Sequence, residues 1–247
     1  MRIHTGLVAL SLTTIGLLAG ASNANAFTFG GNYNGQEFED LGVEIPWAAE
    51  SRIGRVGDHE INIHDSANDA NNRVQANYDD WRHAEAVDFA LTFDSGSDTL
   101  TYTVGGVEIS KTAVTQDNFS DLYIRSSARV EGSSMMVNNL FLEDSTMASA
   151  IDGFSSATCE VVDGEKVGCG YFDADYLHIA DIVGDFTLTG QSTMRWEAGK
   201  KPQNSQLAYQ IKLVEGEDTT ESVPEPAALS LLSLGVFGLI LKSRRQS

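Results

Sequence analysis

The residues best suited to holding a metal ion lie in one short acidic segment, residues 65–72. The candidate ligands in it are Asp65, Asn68, Asp69 and Asn71. Their side-chain oxygens are the hard ligands that Ca²⁺ prefers. The segment lacks the D-x-[DN]-x-[DN]-G spacing and the bidentate glutamate of an EF-hand loop. Because Asn and Asp also stabilise ordinary turns through their own side chains, calcium binding and a surface loop both stay open.

The two cysteines, Cys159 and Cys169, are spaced for a disulfide. They stand at equal distances from Gly164, and Asp163 with Gly164 forms a hairpin turn signal between apolar residues. A symmetric hairpin with an odd-numbered loop would set the cysteines opposite each other, within disulfide reach. A two-residue loop would offset them by one position and worsen the geometry. We predict a local disulfide worth about 2–3 kcal/mol, in preference to metal binding or a catalytic thiol.

Histidines and catalytic motifs offer little evidence of enzyme chemistry. His59 and His64 flank an apparent strand and are five residues apart, which places them on opposite faces, so we predict two solvated histidines. The chain has no G-x-S-x-G, no H-E-x-x-H and no phosphate-cradling glycine loop. A glycosidase-type pair of carboxylates stays open, because its members are matched in space rather than in sequence. We predict a non-enzymatic protein, with a polysaccharide-modifying hydrolase as the third alternative.

Aromatic side chains provide a candidate sugar-binding surface. The three tryptophans are Trp47, Trp81 and Trp196, and aromatic faces stack well on pyranose rings. Large aromatics also belong to the core of a β-protein of this size. Trp81 lies between Asp79-Asp80 and Arg82-His83, so it is the tryptophan that we select as a possible exposed stacking platform.

The elements that must position these residues are β-strands. Val87, Phe89, Leu91 and Phe93 alternate with smaller or polar residues, and a turn follows before Leu100, Tyr102 and Val104 repeat the pattern. Period-two alternation of this kind predicts half-buried antiparallel strands. Further segments of this type, separated by Gly, Asp, Ser and Asn, predict an all-β, antiparallel, jelly-roll-like β-sandwich. The plausible helices between the two termini are short and cover residues 77–86 and 146–151.

Both termini carry export signals. Arg2 precedes an apolar stretch over residues 6–20, and Ala24-Asn25-Ala26 is an A-x-A cleavage site that would leave Phe27 as the first mature residue. These features predict passage through the Sec translocon and cleavage by signal peptidase. An oxidising destination favours the Cys159–Cys169 disulfide.

The C-terminal segment has three parts with different physical roles. Pro224 and Pro226 hold Glu225 on an extended strip, because proline lacks the amide donor that a helix needs. Residues 227–241 form an uncharged apolar run close to the minimum length for crossing a bilayer. The basic residues after it stay on the cytoplasmic side by the positive-inside rule, so the bulk of the chain lies on the opposite side of the membrane.

This order of Pro-Glu-Pro, short apolar helix and arginine-rich end resembles the PEP-CTERM sorting signal of exopolysaccharide-producing Gram-negative bacteria. The resemblance implies that an exosortase, an integral-membrane cysteine transpeptidase, recognises Pro224, Glu225 and Pro226 and processes the tail. A weaker resemblance relates the body to choice-of-anchor surface domains, a group that brings no catalytic activity with it. Its strand-and-turn motifs are Trp81 with residues 87–94, 100–106, 121–126, 137–142 and 184–190.

Charge limits the possible partners. The whole chain has a net charge of −19, and residues 27–222 hold 12 basic and 34 acidic residues, a net charge of −22. Such a body repels nucleic acid, and it repels anionic polysaccharide unless divalent cations bridge the two. We predict a signal peptide over residues 1–26, a body domain over 27–214, an acidic flexible tether over 215–222 and a sorting signal over 223–247.

Together these features predict an exported protein of the cell envelope, cell surface or extracellular matrix, transiently anchored in the inner membrane by residues 227–241. A structural or adhesive role in an exopolysaccharide matrix or biofilm is the main functional hypothesis, with extracellular polysaccharide as a possible partner. The alternative is a carbohydrate-binding or calcium-dependent binding module. Ca²⁺ is the one cofactor considered.

Overall fold

The structure, a computed structural model, describes residues 26–54, 60–67, 69–70, 72–114 and 119–216. Within these ranges the chain forms fifteen strands and one short helix. In chain order the elements are β1 (Thr28–Asn34), α1 (Gly35–Leu41), β2 (Trp47–Arg52), β3 (Ile61–Asp65), β4 (Val74–Ala76), β5 (Ala86–Asp94), β6 (Thr99–Val104), β7 (Val107–Lys111), β8 (Phe119–Ala128), β9 (Ser133–Asp144), β10 (Ala148–Ala150), β11 (Ser155–Val162), β12 (Glu165–Val167), β13 (Asp175–Ala180), β14 (Phe186–Arg195) and β15 (Leu207–Glu215). No helix in these ranges has the length and apolar character needed to cross a bilayer.

The strands form two antiparallel sheets. Sheet A has seven strands in the order β1-β13-β8-β15-β2-β3-β4. Sheet B has eight strands in the order β12-β11-β9-β14-β5-β6-β7, and β10 pairs with β9 beside this path. Neighbouring strands are in many cases distant in sequence, so β8 is hydrogen-bonded to β13 and β15 rather than to β9. The chain therefore crosses repeatedly between the two sheets.

The inner faces of the two sheets meet in one hydrophobic core. The alternating residues of β5, from Val87 to Phe93, are buried, whereas Asp88 and Asp94 on the same strand are exposed. The ring centroids of Phe93 in sheet B and Phe119 in sheet A lie 4.8 Å apart. Period-two patterning has thus sent the apolar side chains of both sheets to the same side, which is what a sandwich requires.

A buried hydrogen-bond network links the two sheets within this core. The Tyr102 hydroxyl in β6 donates to the Tyr209 hydroxyl in β15 over 2.9 Å, and Ser51 Oγ in β2 lies 2.6 Å from Tyr102 Oη. Burial raises the pKa of Tyr102 well above its usual value and also raises the pKa of Tyr209. Because the hydroxyls satisfy one another, three polar groups are accommodated in an otherwise apolar core.

The prediction of an all-β sandwich is confirmed by these two packed antiparallel sheets. The predicted signal peptide and tail helix lie outside the described residues. The two predicted helices of the body are wrong: residues 77–85 are irregular, and Ala148–Ala150 is strand β10. Burial of Tyr78 and Trp81 pins the first segment to the core. In the second, the Asp144 carboxylate accepts bonds from the backbone amides of Thr146 and Met147 and holds a turn.

The helix that does form, α1, lies against the outer face of sheet A. Asn34 caps it by accepting bonds from the amides of Gln36 and Glu37, while the Glu37 carboxylate accepts the Asn34 amide. The helix ends at Gly42, whose φ of 64° is a left-handed conformation that glycine adopts readily. Phe38 is the buried side chain that anchors the helix to the sheet.

Candidate functional site

The residues predicted for export fall mostly outside the described chain. Ala24 and the motif Pro224, Glu225 and Pro226 are among them. Ala26 is exposed, and Phe27 directly after it is packed in the core with 8% of its surface accessible. The predicted cleavage between these two residues stays a prediction.

The predicted calcium segment forms a tight turn where the structure describes it. Asp65 Oδ1 accepts the Asp69 amide over 3.2 Å, and Asp65 Oδ2 accepts Asn72 Nδ2 over 2.6 Å. Asn68 and Asn71 lie outside the described residues. Within the described ranges no three His, Cys, Asp or Glu side chains are grouped so that they could hold a metal ion. The Asp65 carboxylate supports its own loop, as Asx-type turns do, and calcium binding stays a prediction.

The predicted disulfide between Cys159 and Cys169 is confirmed, but its local geometry differs from the expectation. The two Cα atoms are 4.6 Å apart. Val162 pairs with Glu165, so the hairpin has the two-residue loop, Asp163 and Gly164, that should offset the cysteines. Gly168, directly before Cys169, compensates for this offset with a left-handed φ of 74°.

Gly168 also lies very close to the neighbouring strand. A Cβ atom at this position would fall 2.0 Å from the Thr158 carbonyl oxygen. Only glycine therefore allows the chain to turn back and bring Cys169 to Cys159.

Trp81 is not an exposed stacking platform, so this prediction is wrong. The side chain is 4% accessible and belongs to the core, with the Tyr78 ring edge-on at a centroid distance of 4.9 Å. Trp47 and Trp196 are buried as well. The charged neighbours of Trp81 are exposed while its ring packs into the core, because burying an indole ring stabilises the fold. Tryptophan therefore provides no sugar-binding face in the described body.

His64 and His178, two of the described histidines, are both held by hydrogen bonds. His64 Nδ1 is 2.8 Å from the Asp65 carbonyl oxygen, on the outer face of sheet A, and His59 lies outside the described residues. His178 Nε2 forms a 2.6 Å bond with Asp121 Oδ1, and its ring stacks on Tyr123 at a centroid distance of 4.3 Å. Sequence reasoning did not find the His178–Asp121 pair, because its members are 57 residues apart.

The His178–Asp121 pair is arranged as a structural contact. Burial works against the charge of Asp121, but bonds from His178 and Ser120 outweigh it and hold the pKa of this carboxyl below its usual value. The Ser120 hydroxyl is bonded to Asp121, not to the histidine. The second ring nitrogen, Nδ1, is buried and lies within 2.2 Å of where a Cβ on Gly30 would be. One ring nitrogen is therefore bonded to Asp121 and the other is buried against the backbone of β1.

A different cluster of side chains forms a concave site on the outer face of sheet A. Tyr176 of β13, Arg125 of β8, Gln210 of β15 and Glu50 of β2 stand opposite one another in a row across four strands. Lys212 stands in the adjacent row, opposite Tyr123. We call this site the basic pocket; its volume is about 420 Å³, and Arg129 and Tyr171 also line it.

The basic pocket holds cations that are poorly compensated. Arg125 is 8% accessible, and neither it nor Lys212 forms an ion pair with a carboxylate in the described residues. Burial, together with repulsion from Arg125, lowers the pKa of Lys212 to about 8, although Glu39 and Glu50 oppose the shift. A buried charge without an ion pair is costly, so a buried Arg125 beside a half-buried Lys212 marks an unusual place in the fold.

Aromatic rings take the place of carboxylates around these cations. The Arg125 guanidinium carbon lies 5.7 Å from the Tyr171 ring centroid and 5.9 Å from that of Tyr176. The Arg129 guanidinium lies 5.4 Å from Tyr171, whose side chain is 53% accessible. Lys212 Nζ lies 5.8 Å from the Phe38 ring. Such cation–π contacts stabilise a cation without neutralising it, so the charge stays available to a ligand.

Two segments build the wall of the basic pocket beside Tyr171. The Tyr171 hydroxyl donates to Glu39 Oε1 of α1 over 3.2 Å, and the Gly35 amide donates to the Phe172 carbonyl over 2.9 Å. Tyr171 follows Cys169 by two positions, so the disulfide fixes the start of its loop to β11. The disulfide predicted from the sequence therefore supports a site that the sequence did not reveal.

Comparison with known proteins identifies the C-terminal segment. The model of the PEP-CTERM protein-sorting motif matches residues 222–245, so the prediction of this motif is confirmed. The motif implies an exported protein that is processed by an exosortase through membrane-anchored sorting. No curated protein matches the chain. The resemblance of the body to choice-of-anchor domains stays a prediction.

Proposed function

We propose that this protein is a structural or adhesive component of the cell surface or the exopolysaccharide matrix. The observation that carries the proposal is the PEP-CTERM motif at residues 222–245, which directs an exported chain to an exosortase. An exosortase substrate serves outside the cell, where a folded body can connect the surface to the polymer around it.

The body has properties suited to this task. Two sheets packed through one core, with a disulfide on an outer hairpin, make a rigid module for an oxidising environment. Its net charge of −22 over residues 27–222 favours solubility among other macromolecules. The basic pocket favours a second, more specific reading, in which the body is a carbohydrate-binding module.

The sorting step is tested by replacing the acidic residue of the motif. In a strain with an active exosortase, Glu225→Ala should be exported but kept in the membrane with its tail uncut, whereas the nearby control Glu221→Ala should be processed normally. Immunoblots of membrane, surface and matrix fractions report both outcomes. Processing of Glu225→Ala identical to that of wild type, or processing unchanged after deletion of the exosortase, would contradict the proposal.

The matrix role is tested in the same strain with the wild-type chain. The processed protein should co-fractionate with exopolysaccharide, and deletion of its gene should weaken cohesion of the matrix measured by shear release of cells. A wild-type protein found free in the medium, with unchanged cohesion in the deletion strain, would reject a structural or adhesive role.

A further inference from the structure

The basic pocket has a charge opposite to that of the body around it. Arg125, Arg129 and Lys212 line it together with one carboxylate, Glu50. Residues 27–222 as a whole carry a net charge of −22. A local excess of cations in a strongly acidic protein attracts an anion only at short range, because salt at physiological strength screens charges beyond about 8 Å. The ligand must therefore enter the pocket to gain from these cations.

We infer that the basic pocket binds the carboxylate of an acidic sugar unit, presented by an acidic polysaccharide. This inference deepens the adhesive function proposed above and rests on it. The planar guanidinium fork of Arg125 matches a carboxylate through two parallel hydrogen bonds. Lys212 beside it adds a second positive charge within the same pocket. Neither cation forms an ion pair with a described carboxylate, and an entering carboxylate supplies that contact.

The rest of the lining favours a sugar over a bare anion. A volume of about 420 Å³ falls in the range of roughly 300–1,000 Å³ that is common for small-ligand sites. Ser127, Gln206 and Gln210 contribute polar groups that can bond to hydroxyls. The half-exposed ring of Tyr171 offers an apolar surface next to the cations. An inorganic anion would contact the cations alone and would make no use of the polar side chains or the Tyr171 ring.

Glu50 narrows the choice of anion further. Glu50 lines the basic pocket opposite Gln210 on the neighbouring strand, and Gln210 in turn stands opposite Arg125. A densely charged ligand, such as a sugar with several sulfates or phosphates, would be repelled by Glu50. A sugar with one carboxylate and several hydroxyls can place the carboxylate at Arg125 and donate a hydroxyl to Glu50. The lining therefore favours a uronic-acid type of unit.

The direct test is calorimetric titration of the full chain, purified in mild detergent, with trigalacturonate as the probe. We expect saturable binding at about one ligand per protein and none with the neutral trisaccharide maltotriose. Arg125→Gln should weaken binding at least tenfold, since a hydrogen bond to a charged group contributes about 1.5–3 kcal/mol. Arg195→Gln, which removes a cation from the exposed end of β14, is the matched control and should bind like wild type.

A second pair of variants covers the case in which Arg125→Gln does not fold. Arg129 and Tyr171 are both exposed, so Arg129→Gln and Tyr171→Ala should keep the circular dichroism spectrum of wild type. Each should weaken trigalacturonate binding by roughly three- to tenfold, the loss of one charge-assisted or ring contact.

Three results would overturn the inference. They are the absence of trigalacturonate binding to the wild-type chain, equal binding of maltotriose, and binding of triglutamate as tight as that of trigalacturonate. The last result would reassign the pocket to an acidic peptide. These results are independent of the sorting test, because a chain processed normally by the exosortase can still fail to bind the sugar.

Discussion

The outer faces of the two sheets differ in what covers them. On sheet A, α1 and the loop that carries Tyr171 lie beside aromatic rings, the buried cation of Arg125 and the half-buried cation of Lys212. On sheet B, threonines stand on the outward side of β5, β6 and β14, and Thr92 lies opposite both Thr101 and Thr187. The Thr92 and Thr187 hydroxyls lie 3.2 Å apart and satisfy each other. These threonine hydroxyls of sheet B satisfy each other, whereas on the face of sheet A no described carboxylate forms an ion pair with Arg125 or Lys212.

This difference shows where the fold accepts an energetic cost. A sheet face can be stabilised by cross-strand pairs of β-branched side chains, as in sheet B. Sheet A departs from that solution in the basic pocket, next to the segments that the disulfide and the capped helix hold in place. Local departures from stable packing are expected where a surface has a function. The proposed recognition therefore belongs to sheet A, with sheet B as its support, and each variant below tests one side of this proposal.

The largest effect should come from removing the side chain that attaches α1 to sheet A. The Phe38 ring stacks on Tyr176 at 4.0 Å and meets Tyr123 edge-on at 5.1 Å. Phe38→Ala should lower the free energy of unfolding by about 3–4 kcal/mol, measured by urea denaturation, because a well-packed aromatic is lost. Phe141→Ala on the exposed face of sheet B is the matched control and should cost less than about 1 kcal/mol. Equal decreases in the free energy of unfolding for the two variants would show that α1 does not stabilise sheet A more than an exposed side chain stabilises sheet B.

The next effect concerns the disulfide. Replacing both Cys159 and Cys169 by Ala should lower the free energy of unfolding by about 2–3 kcal/mol, since the unfolded chain loses a constraint on a short loop. Reductant should destabilise the wild type and leave the double variant unchanged. The variant should also bind trigalacturonate more weakly, because the loop that carries Tyr171 loses its fixed end. An intact mass that reveals two free thiols in natively exported protein would contradict the pairing.

The sequence predicted the framework better than the site. Alternation along β5 and β15 identified the inner residues of the strands, because burial of one face imposes period two. The same alternation leaves the outer residues, such as Tyr123 and Arg125, looking like ordinary solvated positions. Their meeting with Tyr176 and Lys212 depends on the strand order β13-β8-β15, which hydrophobic patterning does not specify. The basic pocket was therefore out of reach of a single sequence.

Two local signals were present but were not used or were misread. Asn34-Gly35-Gln36-Glu37 has the spacing of a capping box and could have predicted α1. Asp163-Gly164 correctly indicated the hairpin. An odd-numbered loop is not needed to pair the cysteines, because Gly168 adopts a positive φ that compensates for the two-residue loop. Trp81 was misjudged from its charged neighbours, because side chains of an irregular segment need not follow their neighbours outward. Capping boxes, turns and short-range disulfides are encoded by neighbouring residues, whereas the positions of rings and cations are set by tertiary packing.

The third effect is a dependence of stability on pH that belongs to sheet A. The pKa of Lys212 is about 8 in the folded protein and near 10.4 in an unfolded chain, so between these values the unfolded state binds more protons. Stability should therefore rise with pH across this window, by about 1.5 kcal/mol between pH 8 and 9.5. Burial and repulsion from Arg125 lower this pKa, Glu39 and Glu50 oppose the shift, and Tyr123, with its pKa raised to about 12, stays neutral in this range.

Lys212→Met isolates this contribution. The variant keeps a long apolar side chain but has no proton to lose, so the rise in urea stability between pH 8 and 9.5 should be absent. Trigalacturonate binding to wild type should also weaken above pH 8, as Lys212 loses its charge. The same pH dependence in wild type and Lys212→Met would show that deprotonation of Lys212 does not cause the rise in stability.

The smallest effect is expected on sheet B, where side chains complete one another. Thr92→Val exchanges a half-buried hydroxyl for a methyl group of almost the same shape on a central strand. The lost bond to Thr187 is worth about 0.5–1.5 kcal/mol, but both hydroxyls lie near water, and valine is at least as favourable as threonine in a strand. The free energy of unfolding should change by less than about 0.5 kcal/mol, and trigalacturonate should bind as it does to wild type. A loss above about 1 kcal/mol would mean that the threonine rows are a stabilising network. Weaker sugar binding would mean that recognition extends to the face of sheet B, and the division between the two faces would then fail.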